Sequence, residues 1–155
     1  MDMLNLDAWT GRVTRDAGCV TPELARQLHA TVGLGKAPQH GDALPPLWHW
    51  CAFPLSTPND KLGRDGHPRE TDLLPPVRLD RRMWAGGALK FYGPALRVGD
   101  PLERRSSIRS VTEKDGSSGP MVFVTVDHAI YGPSGLAIEE RQDIVYLERV
   151  MPESW

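Results

Sequence analysis

A single domain of the α+β class is predicted from three features of the 155-residue sequence. One helix signal lies in the first quarter of the chain, and four long strand candidates separated by glycine-containing turns occupy the second half. The length suits one domain, because a chain of this size can bury about two thirds of its unfolded surface on folding. The 15 glycines and 14 prolines predict prominent loops between these elements.

The strongest helix signal runs from Thr21 to Val32. Thr21 is a favourable N-cap, Pro22 suits the first helical position, and Gly33 is a common residue just after a helix. An apolar residue recurs at every fourth position of this segment, which predicts one face packed against the core. The residues of this stripe are Val20, Leu24, Leu28 and Val32.

The remainder of the first half has weaker signals. A short helix is predicted from an Asp7 cap to Gly18, and residues 33–46 are loop-like. The aromatic-rich segment Leu47–Phe53 is predicted to be buried, as either a strand or a helix. Residues 54–76 contain five prolines, and a loop of this length in a small domain is typical of a lid, a binding loop or a disordered insert.

Four long strands are predicted in the second half, joined by turns rich in glycine. Valines at every second position of the third segment indicate one buried face. Gly86 and Gly87 lie inside the first segment, which predicts a bulge or a close approach by another chain or a ligand. The four segments are Met83–Tyr92, Leu96–Val111, Met121–Tyr131 and Leu136–Arg149.

Composition excludes several classes of protein. With 18 basic and 20 acidic residues and a formal net charge of −2, the chain lacks the basic excess of a nucleic-acid-binding protein. No run approaches the ~18 apolar residues of a membrane span, and the N-terminus lacks the pattern of a secretory signal. Cys19 and Cys51 form no CxxC pair and the five histidines lack metal-ligand spacing, so we expect a cytoplasmic protein without a disulfide framework or a metal site.

Basic residues cluster around two predicted strands, and two interpretations remain open. Antiparallel pairing can bring these residues to one rim, where guanidinium groups suit the phosphates of a carrier such as coenzyme A. Alternatively, they are solvated charges that protect strand edges from aggregation. The cluster comprises Arg78, Arg81, Arg82, Arg104, Arg105 and Arg109.

Two loop segments hold candidate acid–base residues. His40 and Asp42 lie together after the main helix, where a histidine and a carboxylate can either transfer protons or form a turn. The segment Asp65–Pro68 allows a turn or a substrate-contacting tip. The sequence has no GxSxG elbow and no phosphate-binding glycine loop, so it gives no support for nucleophilic catalysis.

Six segments, in order along nearly the whole chain, carry a family resemblance: WTGR (9–12), GDALPPLWHW (41–50), GRDGHPRETDLLPP (63–76), RRMWAGG (81–87), GPMVFVTV (119–126) and EERQDIVY (139–146). Together they resemble the N-terminal half of the MaoC-like acyl-CoA dehydratases, and within these the mesaconyl-CoA (3-methylfumaryl-CoA) hydratase type. RRMWAGG and DGHPR are typical of that subgroup. The resemblance implies one hotdog domain over residues 1–155, in which a curved antiparallel sheet wraps around a helix.

The reaction implied by the resemblance is reversible addition of water to the double bond of an α,β-unsaturated thioester. In hydratases of this superfamily an Asp and a His act as acid and base in a Gly-Asp-x-Asn-Pro-x-His stretch that follows the helix. Here Leu34 stands in place of the Asp, and His40 is one residue late. Because a leucine cannot activate water, the departure implies the non-catalytic half of a two-hotdog unit.

The resemblance also implies where a substrate binds. The loop 54–76 becomes a lid or pocket wall that brings basic residues to a substrate carboxylate. The expected substrate and coenzyme A contacts are Arg64, His67, Arg69, Arg81, Arg82, Trp84, Gly86 and Gly87. His40 and Asp42 are the candidates for a catalytic role.

Two main functions follow from these inferences. The first is a hotdog component of an enoyl-CoA hydratase for a short, dicarboxylic acyl-CoA, with the acid and base supplied by a partner. The alternative is a stand-alone dimer that binds acyl-CoA or hydrolyses its thioester with Asp42 or Asp65; a pseudoenzyme that only stabilises a partner is a third possibility. Each form buries its sheet edges against a second copy or a catalytic hotdog subunit. The coenzyme A thioester is the expected ligand, with no separate cofactor.

Overall fold

The structure, a computed structural model, describes residues 5–148. Its regular elements in that range are β1 (Val13–Gly18), α1 (Pro22–Val32), β2 (Arg81–Phe91), β3 (Leu102–Gly116), β4 (Gly119–Gly132) and β5 (Gly135–Leu147), with short 3₁₀ turns at Leu6–Trp9, Trp48–Cys51 and Asn59–Lys61. The five strands form one antiparallel sheet in the order β1-β3-β4-β5-β2. The predicted α+β class is confirmed, and β2 lies at an edge of the sheet.

Helix α1 matches the prediction at both ends. The Leu24 N–H donates to the Thr21 hydroxyl at 3.1 Å, as expected of an N-cap, and the helix ends at Val32 before Gly33. The predicted apolar stripe is only partly buried, because Val20 and Leu24 meet the core whereas Val32 is 68% exposed. Between residues 5 and 148 the structure has no helix long and apolar enough to cross a membrane.

The helix predicted from Asp7 to Gly18 is wrong. Leu6–Trp9 forms a 3₁₀ turn, and β1 begins at Val13 and pairs with β3. Gly11, with φ of 84°, changes the chain direction between the two. Edge pairing with β3 therefore overrides a weak local helix signal. The segment Leu47–Phe53, for which a strand and a helix were both predicted as alternatives, contains the 3₁₀ turn Trp48–Cys51.

The four long strands are confirmed with altered bounds. The second begins at Leu102, six residues later than predicted, because a turn containing Gly99 (φ 92°) precedes it. The fourth is described to Leu147, so the predicted end at Arg149 lies outside the described residues. The predicted irregularity in the first strand is a register shift between Trp84 and Gly86.

Two apolar clusters lie on one face of the sheet, called here the inner face. The first contains Ile130 and Ile138 of the sheet together with Ala25 of α1, and it surrounds Phe53. The second is formed by strand residues and is covered by the loop that precedes β2. Its buried strand members are Ile108, Val122, Val124, Val126, Ile144 and Tyr146, and its covering residues include Leu73, Leu74, Val77 and Leu79.

We expect Gly18→Ala to destabilise the protein by about 1–3 kcal/mol, the usual cost of overpacking. A Cβ atom at Gly18 would overlap the carbonyl oxygen of Ala52 and the Phe53 ring, which pack against the end of β1. Gly86→Ala is a matched control, since its Cβ would only touch a carboxylate oxygen of Asp143 at 3.4 Å. Urea unfolding measures both variants, and equal stabilities would contradict the close packing.

Candidate functional site

A row of polar residues crosses the inner face between the two apolar clusters. Directly opposed residues of antiparallel strands point to the same face. Thr14 of β1 pairs with Ser106 of β3, Ser106 with His128 of β4, and His128 with Glu140 of β5. We call these four residues the polar row; Leu89 of β2 ends it.

Burial makes the polar row costly unless its groups are hydrogen-bonded. Ser106 is 2% exposed and Glu140 is 6% exposed. On β4 the row is flanked by the apolar Ile130 on one side and Val126 on the other, whereas their strand partners include Arg104 on β3 and Gln142 on β5. A polar row at this depth is therefore either fully paired within the protein or available to a polar ligand.

Ser106, His128 and Gln142 form a hydrogen-bonded chain. His128 Nε2 lies 2.9 Å from the Gln142 Oε1 atom, so Nε2 carries the proton and donates it. The other ring nitrogen, Nδ1, then accepts from the Ser106 hydroxyl at 2.7 Å. The result is a serine hydroxyl bound to the free lone pair of an oriented imidazole.

The pKa of His128 is lowered from its ordinary value of 6.5. Burial is the main cause, because it disfavours the charged imidazolium. The bond to Gln142 and the nearby Glu140 act in the opposite direction, while Arg104 adds to the lowering. His128 is therefore neutral at pH 7 and can accept a proton.

Glu140 is held by the 3₁₀ turn Trp48–Cys51. His49 Nε2 donates to Glu140 Oε1 at 3.0 Å, and Trp50 Nε1 donates to Oε2 at 2.8 Å. Burial acts to raise the pKa of Glu140, but these two bonds outweigh it, so the pKa lies below the usual 4.5. We call Glu140, His49 and Trp50 the Glu140 cluster; it fixes the turn to the sheet.

The Glu140 cluster also positions Trp84. The Trp50 and Trp84 rings meet edge-on at 5.6 Å between centroids. Gly87 lies against β5 and Trp84: a Cβ at Gly87 would overlap the Arg141 carbonyl oxygen at 2.7 Å and would make ordinary contact with two indole atoms at 3.5 Å. Trp84 is consequently held at the sheet edge although 53% of it is exposed.

A cavity of about 630 Å³, called here the inner groove, runs along the inner face. Its floor includes Ser106, His128 and Gln142, and the apolar Val126 and Ile144 continue that floor. One wall is formed by β1, and the opposite walls by β2 and by the loop around residues 67–74. The groove thus has the size and mixed lining typical of a small-molecule site.

Arg104 lies at the end of the inner groove that is nearer to the first apolar cluster. Its guanidinium stacks over the Phe53 ring at 4.6 Å, and one Nη nitrogen donates to Asp16 at 3.0 Å. The Nε nitrogen is buried without a hydrogen-bond partner among the described residues. The guanidinium therefore has donor capacity beyond its one ion pair.

Three of the predicted site residues line the inner groove, namely His67, Arg82 and Trp84. His67 Nδ1 lies 3.3 Å from the Asp65 carboxylate, which is also 3.9 Å from Arg82. The backbone N–H of His67 lowers the pKa of Asp65, although burial opposes this, and the charges of His67 and Arg82 lower it further. The loop 54–76 supplies part of a cavity wall.

The other predicted site residues lie elsewhere. His40 and Asp42 are exposed, and the Asp42 carboxylate accepts from the Gln39 N–H at 2.8 Å as in a turn. Arg69 donates to the Leu62 carbonyl, Arg64 and Arg81 are exposed, and Gly86 and Gly87 shape β2 without lining the groove. Leu34, in the position of the absent acid, is 97% exposed.

The clustered arginines are divided between the two sheet faces. Arg104 faces the inner groove, whereas Arg105 and Arg109 are on the opposite face. There Arg105 pairs with Glu103 and Arg109 with Asp127. The single rim suggested by their spacing does not form.

Sequence reasoning missed most of the polar row and the Glu140 cluster. One signal was available for His128, which continues the spacing of Val122, Val124 and Val126 and therefore shares their buried face. The pairing of Glu140 with His49 joins residues 91 positions apart and left no local signal. Within the described ranges, no group of three His, Cys, Asp or Glu residues is arranged to hold a metal ion.

Comparison with known proteins gives two sequence matches. Residues 47–154 match the family Htd2, hydroxyacyl-thioester dehydratase type 2. Over 147 residues the chain is 43% identical to a mesaconyl-C(4)-CoA hydratase of Chloroflexus aurantiacus, which covers 94% of this chain and 52% of that protein. The chain therefore spans about half the length of this curated relative.

Two solved structures share the fold. The ChsH1-ChsH2 complex from Mycobacterium tuberculosis gives a TM-score of 0.66 at 11% identity, with 94% of this chain and 93% of that chain covered. A MaoC-like dehydratase from Rhodospirillum rubrum gives 0.50 at 13% identity, with 92% and 94% covered. The expected hotdog fold is confirmed.

We expect Glu140→Gln to lower the free energy of unfolding by about 1–3 kcal/mol at pH 7, because the bonds from His49 and Trp50 lose their charged acceptor. The folded-state pKa of Glu140 lies below 4.5, so this stabilisation is complete above that pH and is lost as pH falls through the folded pKa. The difference from the native protein should therefore shrink in acid. Urea unfolding at pH 7 and at lower pH values measures it.

Glu139→Gln is the matched control, since Glu139 is exposed on the other face and its side chain accepts, among residues 5–148, from the Tyr92 hydroxyl at 2.9 Å. A Glu140→Gln effect equal to the control's, or one that persists unchanged in acid, would contradict the assigned role of the Glu140 cluster.

Proposed function

Because the chain belongs to the Htd2 family of hydroxyacyl-thioester dehydratases, we propose that it is a hotdog component of an enoyl-CoA hydratase or dehydratase. Its proposed substrate is a short, dicarboxylic acyl-CoA such as mesaconyl-CoA, in keeping with its 43% identical relative. The observation that carries the proposal is the inner groove, in which hydrogen-bonding side chains of the polar row lie beside the apolar Val126 and Ile144. Such a lining suits an acyl group that is itself polar.

The proposed role is that of the non-catalytic half. Water addition requires a base for the water, an acid for the α-carbon and donors for the thioester oxygen. Leu34 is an exposed aliphatic side chain, and the exposed His40 and Asp42 are outside the inner groove. The chain covers 52% of its curated relative, which supports a second hotdog as the source of the acid and base.

The outer edge of β2 is the proposed docking site for that catalytic hotdog. Strand β2 pairs with β5 on one side, and in residues 5–148 no strand pairs with its other side. Apolar side chains concentrate there: Met83 is 41%, Trp84 53% and Phe91 52% exposed. An unpaired edge of eleven residues with these side chains favours burial against a partner.

A thioesterase is the second candidate, and the Ser106–His128 bond favours it. A hydroxyl bound to a neutral, oriented imidazole is the usual arrangement of an activated nucleophile. Asp42 and Asp65, the carboxylates first considered for hydrolysis, are exposed loop residues. In either function the coenzyme A thioester is the ligand and no separate cofactor is proposed. Cytoplasmic location stays a prediction from the cysteine content.

We expect the purified chain alone to leave the absorbance of mesaconyl-CoA and crotonyl-CoA unchanged, because Leu34 replaces the Asp of the superfamily's catalytic stretch and His40 lies outside the inner groove. Addition of a hotdog subunit with an intact Asp and His should produce hydration, measured as loss of enoyl-thioester absorbance. A thiol reagent in a parallel assay detects release of free coenzyme A.

Hydration by the chain alone would overturn the assignment as a non-catalytic half. Release of free coenzyme A without hydration would favour the thioesterase, and Ser106→Ala should then abolish it.

We expect Met83→Arg to weaken association with the catalytic hotdog by about tenfold or more, because it places a charge in an apolar interface. Val32→Arg is the control, since Val32 is also exposed but lies on α1. Light scattering after size exclusion and a titration with the partner measure both variants. Equal association of the two variants would exclude the β2 edge, and a homodimer sensitive to Met83→Arg would replace the partner with a second copy.

A further inference from the structure

We propose that Arg104, with Ser106 and His128 of the polar row, forms a subsite that binds the free carboxylate of a dicarboxylic acyl group. The inference rests on the proposed function and adds to it the residues that select the substrate. These residues differ from Arg64, His67 and Arg69, the ones suggested by the family resemblance.

The three side chains share one end of the inner groove. Arg104 and Ser106 are two positions apart on β3, and Ser106 pairs directly with His128 on β4, so all three point to the inner face. All three line the groove. A cation, a hydroxyl and an imidazole therefore surround one region of a cavity whose floor continues through Gln142 to the apolar Val126 and Ile144.

Two contacts hold the Arg104 guanidinium in one orientation. Stacking on Phe53 at 4.6 Å and the 3.0 Å bond to Asp16 hold the plane of its guanidinium. One donor serves Asp16, and the buried Nε has no hydrogen-bond partner among the residues described. Guanidinium groups bind carboxylates through paired N–H donors, so the remaining donors suit this ligand.

Ser106 reaches a ligand through an exchange of partners with His128. Its hydroxyl has one proton, which it donates to His128 Nδ1 at 2.7 Å. Rotation of the hydroxyl about its Cβ–Oγ bond redirects this proton to a ligand oxygen, and the serine side chain keeps its place. Nδ1 then stays hydrogen-bonded to the serine oxygen if the imidazole takes up a proton, a change that an adjacent ligand carboxylate favours.

The second cationic end of the groove is too far away to share a small carboxylate. Arg82 on β2 is paired with Tyr146 on β5. Arg104 on β3 is paired with Ile130 on β4, which is paired in turn with Ile138 on β5. Along β5 the positions that mark the two arginines are eight residues apart, a distance of roughly 26 Å at about 3.3 Å per residue. Arg82 also lies 3.9 Å from the Asp65 carboxylate.

Asp16 separates the proposed role from a structural one. Its side chain is 41% exposed and competes with a ligand carboxylate for Arg104. If the Arg104–Asp16 pair only supports the fold, loss of either partner weakens ligand binding in the same way. If Arg104 binds a substrate carboxylate, loss of Asp16 preserves or strengthens binding while loss of Arg104 weakens it.

The test measures, by titration calorimetry, the dissociation constants of mesaconyl-C(4)-CoA, which has a free carboxylate, and crotonyl-CoA, which has none. The full chain should bind the dicarboxylic ester about ten- to hundredfold more tightly, as expected of charge-assisted hydrogen bonds. Arg104→Met should remove this preference without changing the affinity for crotonyl-CoA. Asp16→Asn should keep the preference or increase it.

Two further variants complete the test. Arg105→Met is the matched control, because Arg105 is the next residue on β3 but pairs with Glu103 on the opposite face, and it should keep the preference. Ser106→Ala should reduce the preference several-fold, by loss of one hydroxyl bond to the ligand. If Arg104→Met does not fold, Ser106→Ala tests whether this subsite causes the preference for the dicarboxylic ester. Equal affinity of the native chain for the two esters, or a parallel loss in Arg104→Met and Asp16→Asn, overturns the subsite but leaves the proposed function. Binding of neither ester, by the chain alone and with the catalytic hotdog added, overturns both.

Discussion

The requirement that buried polar groups be hydrogen-bonded governs the centre of this structure. Four polar residues lie side by side across the inner face, and on β4 they are flanked by Ile130 and Val126. Glu140 is satisfied by His49 and Trp50, and His128 by Ser106 and Gln142. The bonds to Glu140 fix the turn at 48–51 to the sheet, and the bonds to His128 fix the floor of the inner groove.

The polar row also explains why the core has two parts. The first apolar cluster is closed by α1 and Phe53, and the second by the loop before β2. The inner groove opens between these covers, directly above Ser106 and His128. Because the sheet itself is continuous across both clusters, the groove has a rigid floor and a wall of irregular chain.

Local signals in the sequence predicted the elements better than the site. Thr21, Pro22 and Gly33 define α1 through capping chemistry that involves neighbouring residues only. The edge strand β1 had no comparable signal, because its conformation depends on pairing with β3 about ninety residues later. The site has the same origin: Arg104, His128 and Glu140 meet through strand register, and only the alternation that places His128 on a buried face was present locally.

The loop that covers the second apolar cluster has a consequence for how this protein can adapt. Its apolar side chains add buried surface but form no strand of the sheet; they are Leu73, Leu74, Val77 and Leu79. The regular structure described within this loop is the 3₁₀ turn Asn59–Lys61 and a single bridge between Leu62 and Pro68. Segments of this kind open in local fluctuations that cost much less than global unfolding, while amides of β3, β4 and β5 stay protected. Substitutions in the wall can therefore reshape the groove for other acyl groups while the floor keeps its strand pairing and its hydrogen bonds.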